Sequence, residues 1–167
     1  GIAGNTKNLI EATKLNIEVK DSDSNIEKVV DIGFVGNPIN LKSEIILNHI
    51  NNGEIPVIAP LGIDKENFTY NINADTAAGF IAGKLKASKL LLLTDVSGIL
   101  DNNKKLISSL SLNEAKKIMS EDFISGGMKP KIKTCIEAME QGVKKSTILD
   151  GRIPHSVILE LFTEHGI

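Results

Sequence analysis

Apolar residues follow two rhythms along this chain of 167 residues. Runs at 17–19, 29–35, 55–59, 90–94 and 147–149 are rich in Ile, Val, Leu and Thr, and polar or glycine-containing stretches bound them, which predicts strands. Between and after them, apolar positions recur at three-to-four spacing over 41–52, 75–85, 112–119, 129–140 and 154–164, which predicts helices. Strand, helix and strand in succession imply parallel crossovers and a sheet covered on both faces, an α/β fold. Ile55-Pro56-Val57-Ile58-Ala59 and Leu90-Leu91-Leu92-Leu93 are continuously apolar, the pattern of strands buried on both sides. The polar turn Asp21-Ser22-Asp23-Ser24 separates two strand-like runs and predicts a β-hairpin near residues 15–36. Gly33-Phe34-Val35-Gly36-Asn37-Pro38 then ends a strand with residues suited to tight turning. No internal repeat, low-complexity tract or interdomain linker breaks the alternation.

Composition narrows the function classes. The chain is 41% hydrophobic and 24% charged, enough apolar material for one core in a single domain. Nineteen basic against 21 acidic residues give a net charge of -2, which offers neither a nucleic-acid surface nor a membrane-binding one. Aromatic residues at 4% argue further against base stacking. Cys135 has no partner for an intramolecular disulfide and reads as a small packing residue. With no long apolar run and no signal-peptide pattern, a reducing cytoplasm is the expected compartment. The sequence begins Gly1-Ile2 without methionine and stops directly after a helical pattern, so further sequence is expected on both sides. His49, His155 and His165 are scattered, without metal-ligand spacing.

Three segments carry candidate chemistry. In Tyr70-Asn71-Ile72-Asn73-Ala74-Asp75 two amides and a carboxylate fall where a strand gives way to a helix, the junction at which open α/β sheets hold ligands. Asn73 is a candidate N-cap; Asp75 either favours the positive helix end or holds lysines around a phosphoryl group. Leu93-Thr94-Asp95-Val96-Ser97-Gly98-Ile99-Leu100 follows the most hydrophobic strand, so its polar groups emerge at the carboxyl edge of the sheet, either to meet ribose or phosphate or to close an ordinary turn. Ile124-Ser125-Gly126-Gly127-Met128-Lys129-Pro130-Lys131 is a glycine-rich entry into a helix with Pro130 in its first turn. Helix N-terminal amides attract phosphate and Lys131 adds a cation, although the spacing is not that of a Walker loop and a solvated surface lysine is the alternative. Phosphoryl transfer needs mainly alignment and charge compensation, which lysines, helix amides and Mg²⁺ supply.

Taken in order, these three segments resemble the acetylglutamate kinases of the amino-acid-kinase superfamily, over nearly the whole chain. Asp23-Ser24-Asn25-Ile26-Glu27-Lys28-Val29-Val30-Asp31-Ile32-Gly33-Phe34-Val35-Gly36 and Asp150-Gly151-Arg152-Ile153-Pro154-His155 look like the same family. The resemblance implies a three-layer αβα sandwich with a mainly parallel central sheet. It implies one incomplete domain, in which 1–60 is the remnant of a substrate half and 61–167 a nucleotide half. The implied reaction is ATP-dependent phosphorylation of the side-chain carboxylate of N-acetyl-L-glutamate in arginine biosynthesis, with Mg²⁺ arriving on ATP. Carried over by motif, Asn71 would bind the acceptor, Asp75 would orient the lysines and Lys131 would stabilise the transferring phosphoryl group. Asp95, Val96, Ser97, Gly98, Ile99 and Leu100, with Phe123, Ile124 and Ser125, would line the nucleotide site. Some members are hexamers inhibited by arginine; Glu160 and Gly166 match their effector positions, whereas Thr147 stands where a histidine is usual. The intact protein would be a homo-oligomer, dimer or hexamer, with no nucleic-acid or membrane partner.

Departures from the family pattern qualify the expected activity. The family's N-terminal strand with its Lys-Gly-Gly phosphate loop, its second Gly-Gly turn and its substrate-gripping arginine are absent from these residues. Gly4-Asn5-Thr6 stands where Gly-Lys-Asp is more usual. The 167 residues alone are therefore expected not to turn over. Other readings are a kinase for glutamate, aspartate, carbamate or a nucleoside monophosphate, a non-catalytic nucleotide-binding regulatory domain, and a structural α/β domain without ligand.

Overall fold

A computed structural model describes residues 1–20, 27–121, 123, 124 and 126–163. They fall into two compact units, Gly1–Ala77 and the stretch from Ala78 onward, divided within one helix. The fold is α/β, with parallel ladders in both units.

In the first unit, β1 (Ile2–Ala3) lies parallel to β4 (Ile58–Ala59), and β2 (Ile10–Lys20) and β3 (Glu27–Leu41) form an antiparallel hairpin. β5 (Leu61–Ile63) and β6 (Thr69–Asn71) close a four-stranded ring in the order β2-β3-β6-β5. The hairpin expected near 15–36 is present and longer, its ladder running from Ile10↔Leu41 to Lys20↔Glu27; its turn at Asp21, Ser22, Asp23 and Ser24 lies outside the described residues. Irregularities between Glu11 and Ala12 and between Lys14 and Asn16 insert bulges, which bend and twist a strand and help so long a ribbon curl into a ring. Leu9, Ile10 and Ile72 are fully buried, together with Ile46 of α1 (Ser43–Asn51). Leu41, expected to open that helix, instead ends β3 opposite Ile10.

In the second unit, β7 (Lys89–Thr94) pairs in parallel with β8 (Lys145–Asp150), from Lys89↔Lys145 to Thr94↔Asp150. The crossover carries α3 (Leu112–Ile118) and α4 (Met128–Glu140); α2 (Ala74–Leu85) precedes β7 and α5 (Ser156–Phe162) follows β8. Ala82, Leu90, Leu92, Ala138 and Val143 form a buried cluster, with half-buried Cys135 packed against it in the role expected of it. Alanines on α2 and α4 keep the layer thin. Ser111 opens α3 with a capping box: its hydroxyl accepts from the Glu114 N–H at 3.3 Å, and its own N–H donates to the Glu114 carboxylate at 2.7 Å.

Burial of the two apolar runs is less even than their composition predicts. Leu90 and Leu92 are buried, but Leu93 is 49% exposed, so the alternate face of β7 is only partly covered. Ile55 and Val57 are exposed because only Ile58 and Ala59 enter the ladder, against the two-residue strand β1. Among the described residues, no helix is long and apolar enough to cross a membrane.

Candidate functional site

At the carboxyl end of the β7–β8 ladder the chain leaves both strands in tight turns. The Gly151 N–H donates to the Thr94 carbonyl at 2.8 Å, and a Cβ at residue 151 would lie 3.3 Å from that oxygen. This contact sets the Thr94-Asp95 exit beside the Asp150-Gly151-Arg152 turn. Asp150 is 6% exposed and accepts three hydrogen bonds from Arg152, from the backbone N–H at 3.0 Å, Nε at 2.9 Å and Nη2 at 2.6 Å. The guanidinium holds the Asp150 pKa down at about 2, against the desolvation that would raise it. Arg152 is itself raised by Asp150 first and, more weakly, by the charge of Asp95.

Beyond Thr94, whose hydroxyl donates to Asp95 at 3.4 Å, residues 99–107 form a short hairpin closed by Ile107 N–H to Ile99 carbonyl at 2.8 Å and by a bridge between Leu100 and Leu106. Gly98 is buried beneath it with φ +130, and a Cβ there would lie 2.8 Å from Leu106 Cδ1. Only glycine suits both the backbone angle and the space. Val96 and Leu100 remain substantially exposed, two apolar side chains flanking polar Ser97. Such a wall suits a flat, mixed-polarity ligand.

The α4 entry is built from glycine. Gly126 adopts φ +57 with open space around it, and Gly127 caps the helix without a side-chain hydrogen bond. The first turn carries no acidic residue and leads to Lys131, so positive helix end and cation share one terminus. Phe123 is half-buried and Ile124 buried just before it; Ser125 lies outside the described residues.

A cleft of about 460 Å³ in the same unit joins Ser97, Gly98 and Ile99 to Ile132 and Cys135 of α4 and to Glu160 of α5. The Ser146 hydroxyl is buried among its lining residues, without a hydrogen-bond partner among the described residues. Glu160, 4% exposed, accepts from Lys145 Nζ at 2.6 Å and Thr147 Oγ1 at 3.2 Å, and the ammonium of Lys145 pulls its pKa down against desolvation. Part of the expected nucleotide segment and the expected effector residue Glu160 thus line one cleft, whereas Gly166 lies outside the described residues.

In the first unit, Asn71 ends β6, exposed, opposite Leu61 and Val35. Asn73 caps α2 as expected: its Oδ1 accepts from the Thr76 N–H at 3.2 Å, leaving Asp75 in the first turn. Asn5 donates to Thr69 Oγ1 at 3.1 Å, bringing the Gly4-Asn5-Thr6 segment to β6, two residues from Asn71. Sequence reasoning assigned no role to Asp150 and Arg152. The signal was an Asp-Gly-Arg run directly after an apolar strand.

These features define an α/β protein with glycine-built turns at a sheet edge and a cleft that joins this edge to a helix opening on glycine and lysine. The chain belongs to the amino acid kinase family, whose model matches residues 5–150. It is 53% identical over 166 residues to the acetylglutamate kinase of Gluconobacter oxydans and 49% to that of Rhodospirillum rubrum, covering 99% of this chain but 56% and 54% of those proteins. The chain thus spans about half the length of the curated relatives it matches. Among solved structures, the N-acetylglutamate synthase of Neisseria gonorrhoeae complexed with coenzyme A and L-arginine aligns with a TM-score of 0.81 at 28% identity, over 99% of this chain and 36% of that one. A carbamate kinase from Giardia lamblia bound to citric acid shares the fold, with a TM-score of 0.60 at 23% identity over 81% of this chain and 45% of its own.

Proposed function

We propose that this chain is the greater part of an acetylglutamate kinase that transfers the γ-phosphoryl group of ATP to the side-chain carboxylate of N-acetyl-L-glutamate in arginine biosynthesis. The observation that carries this reading is a likeness to proteins of that name through 166 residues, spanning all three candidate segments. In this reading residues 1–60 belong to the acceptor half and 61–167 to the nucleotide half. Asp95, Val96, Ser97, Gly98, Ile99 and Leu100, with Phe123, Ile124 and Ser125, hold the nucleotide. Asn71 binds the acceptor and Asp75 orients the lysines. A carboxylate oxygen of the acceptor attacks the γ-phosphorus, the bond to the bridging oxygen of ADP breaks, and Lys131 with the α4 amides compensates the charge on the transferring group.

Among the described residues no three His, Cys, Asp or Glu side chains gather as metal ligands. Mg²⁺ enters on the phosphates of ATP, as part of the substrate. The whole protein acts in the cytoplasm as a homo-oligomer, dimer or hexamer, a proposal that follows from the family.

The test is phosphoryl transfer from Mg-ATP to N-acetylglutamate by this chain and by a version completed with the remaining segments of the Gluconobacter oxydans relative. Activity in the completed protein alone is expected. Substantial turnover by the 167 residues alone would refute the division of labour, and ATP binding without turnover in either would favour the regulatory reading.

A second reading concerns regulation, and the position of Glu160 favours it. Its buried carboxylate already binds one cation beside a cleft, and the synthase that aligns well with this chain was solved with L-arginine. We propose Glu160 and Gly166 as arginine-contacting positions. Calorimetry on the completed protein should show arginine binding that Glu160→Gln weakens; no heat of binding would remove the idea.

A further inference from the structure

Two glycines of α2 face α4 where no other residue fits. A Cβ at Gly79 would lie 2.4 Å from Thr134 Cγ2, and one at Gly83 would lie 2.5 Å from Gln141 Oε1. Both contacts advance in the same direction along each helix, so from Ala78 on α2 runs alongside α4 in parallel. At Gly83 the Gln141 amide can swing away, but its Cβ, 2.9 Å from the added atom, moves only with the end of the helix. The Gly79 contact is the tighter: Thr134 is 7% exposed, β-branched and in the middle of α4, so its methyl has little freedom to turn away. Gly79 and Thr134 therefore fix how close the two helices lie.

Lys131 precedes Thr134 by three residues and shares its face of α4, one turn nearer the N-terminus. The layer beneath is built from Ala82, Ala138 and the buried strand residues Leu90 and Leu92, a close-packed contact in which a shift of one helix is transmitted rather than absorbed. We propose that the Gly79–Thr134 contact is a positioning pair for Lys131, holding the α4 terminus at the height that phosphoryl transfer at the β7 edge requires. The proposal rests on the reading of Lys131 as the charge-compensating cation. An alanine methyl at 79 falls about 1 Å short of ordinary van der Waals contact, so α4 would move by a similar amount, and misplacement of this size costs roughly 100-fold in rate.

The experiment uses the completed protein and four variants, Gly79→Ala, Thr134→Ser, their double and Lys131→Ala, with kcat and the KM for ATP measured for each. Gly79→Ala is expected to lower kcat about 100-fold and to change the KM for ATP far less, because most of the proposed nucleotide contacts, at 95–100, lie off α4. Thr134→Ser removes the obstructing methyl, so the double variant should recover kcat to within about tenfold of the parent. A folded Gly79→Ala protein with the parent kcat, or a folded double variant as slow as Gly79→Ala, overturns the proposal. Should Gly79→Ala not fold, the double variant decides alone: recovery upholds the pair, and a kcat still about 100-fold down overturns it. Lys131→Ala separates the two readings. Parent-like turnover in that variant defeats the role of Lys131 itself, whereas its loss beside a fully active Gly79→Ala defeats only the positioning.

Discussion

Opposite ends of the β7–β8 ladder each hold a nearly buried carboxylate against an exposed cation at 2.6 Å, yet the two pairs are built differently. Asp150, at the carboxyl end, is held by a side chain and a backbone N–H two residues further on. Glu160, at the amino end, reaches across from α5 to Lys145 and Thr147, fifteen and thirteen residues earlier, while Lys89 donates to its backbone carbonyl at 3.4 Å. One pair closes a turn; the other ties a helix to a sheet. A local pair orders a turn and adds little to the global fold, whereas a long-range pair fails together with the element it tethers.

The largest test removes what the two ends share. Leu149 is 2% exposed in β8, next to Asp150 and two residues beyond Thr147. Leu149→Ala should cost about 2 to 5 kcal/mol in urea unfolding and loosen both clusters. A cost below about 1 kcal/mol would mean the strand is not their common frame.

Cutting each pair should then separate them. Lys145→Met leaves the buried Glu160 carboxylate with the Thr147 hydrogen bond and the weaker charge effect of Lys89, at a cost of about 2 kcal/mol. Arg152→Ala should cost less, because the backbone N–H of residue 152 still donates to Asp150. Equal costs, or the reverse order, would break the distinction between a turn and a tether.

How far each end was legible follows the same division. The strand at Leu90–Leu93, the alternation of strands and helices and the cap at Asn73 rest on local patterns, and the structure bears them out, although Leu93 is not buried as the run suggested. The Asp-Gly-Arg turn was visible as a segment but not as an ion pair. The strand ending at Asn71 was legible as the run before a helix, but Leu61–Ile63 escaped detection, too brief for period-two alternation and created by ring closure with β2 and β6. The α5 region shows the limit at boundaries, for His155 at φ +63 delays the helix to Ser156. Nothing local announces that Glu160 will be buried on Lys145, and the Gly79–Thr134 contact needs two helices in register before it exists.

Acid sharpens the comparison. Both carboxylates have folded-state pKa values below their ordinary ones, so their contributions are complete above the ordinary values and fade as pH falls toward the folded ones. For Asp150 that window runs from 3.8 down to about 2. For Glu160 it opens below 4.5. The stability gap between parent and Lys145→Met should hold steady from neutral pH to about 5 and narrow on further acidification. The gap for Arg152→Ala should persist to lower pH. A gap that instead widened on acidification would contradict the sign of both shifts.

The smallest expected effect isolates burial from distance. Lys116 of α3 and Glu140 of α4 meet at 2.5 Å, as close as the two strand-end pairs, but their side chains are 48% and 45% exposed. Water competes for both ions, so a double-mutant cycle with Lys116→Ala and Glu140→Ala should give a coupling under about 1 kcal/mol that falls further in salt. The same cycle on Lys145 and Glu160 should give a larger coupling that salt reduces less, because one partner is already out of water. If the two couplings match, proximity alone sets their strength, and the burial of Glu160 contributes nothing to the tether.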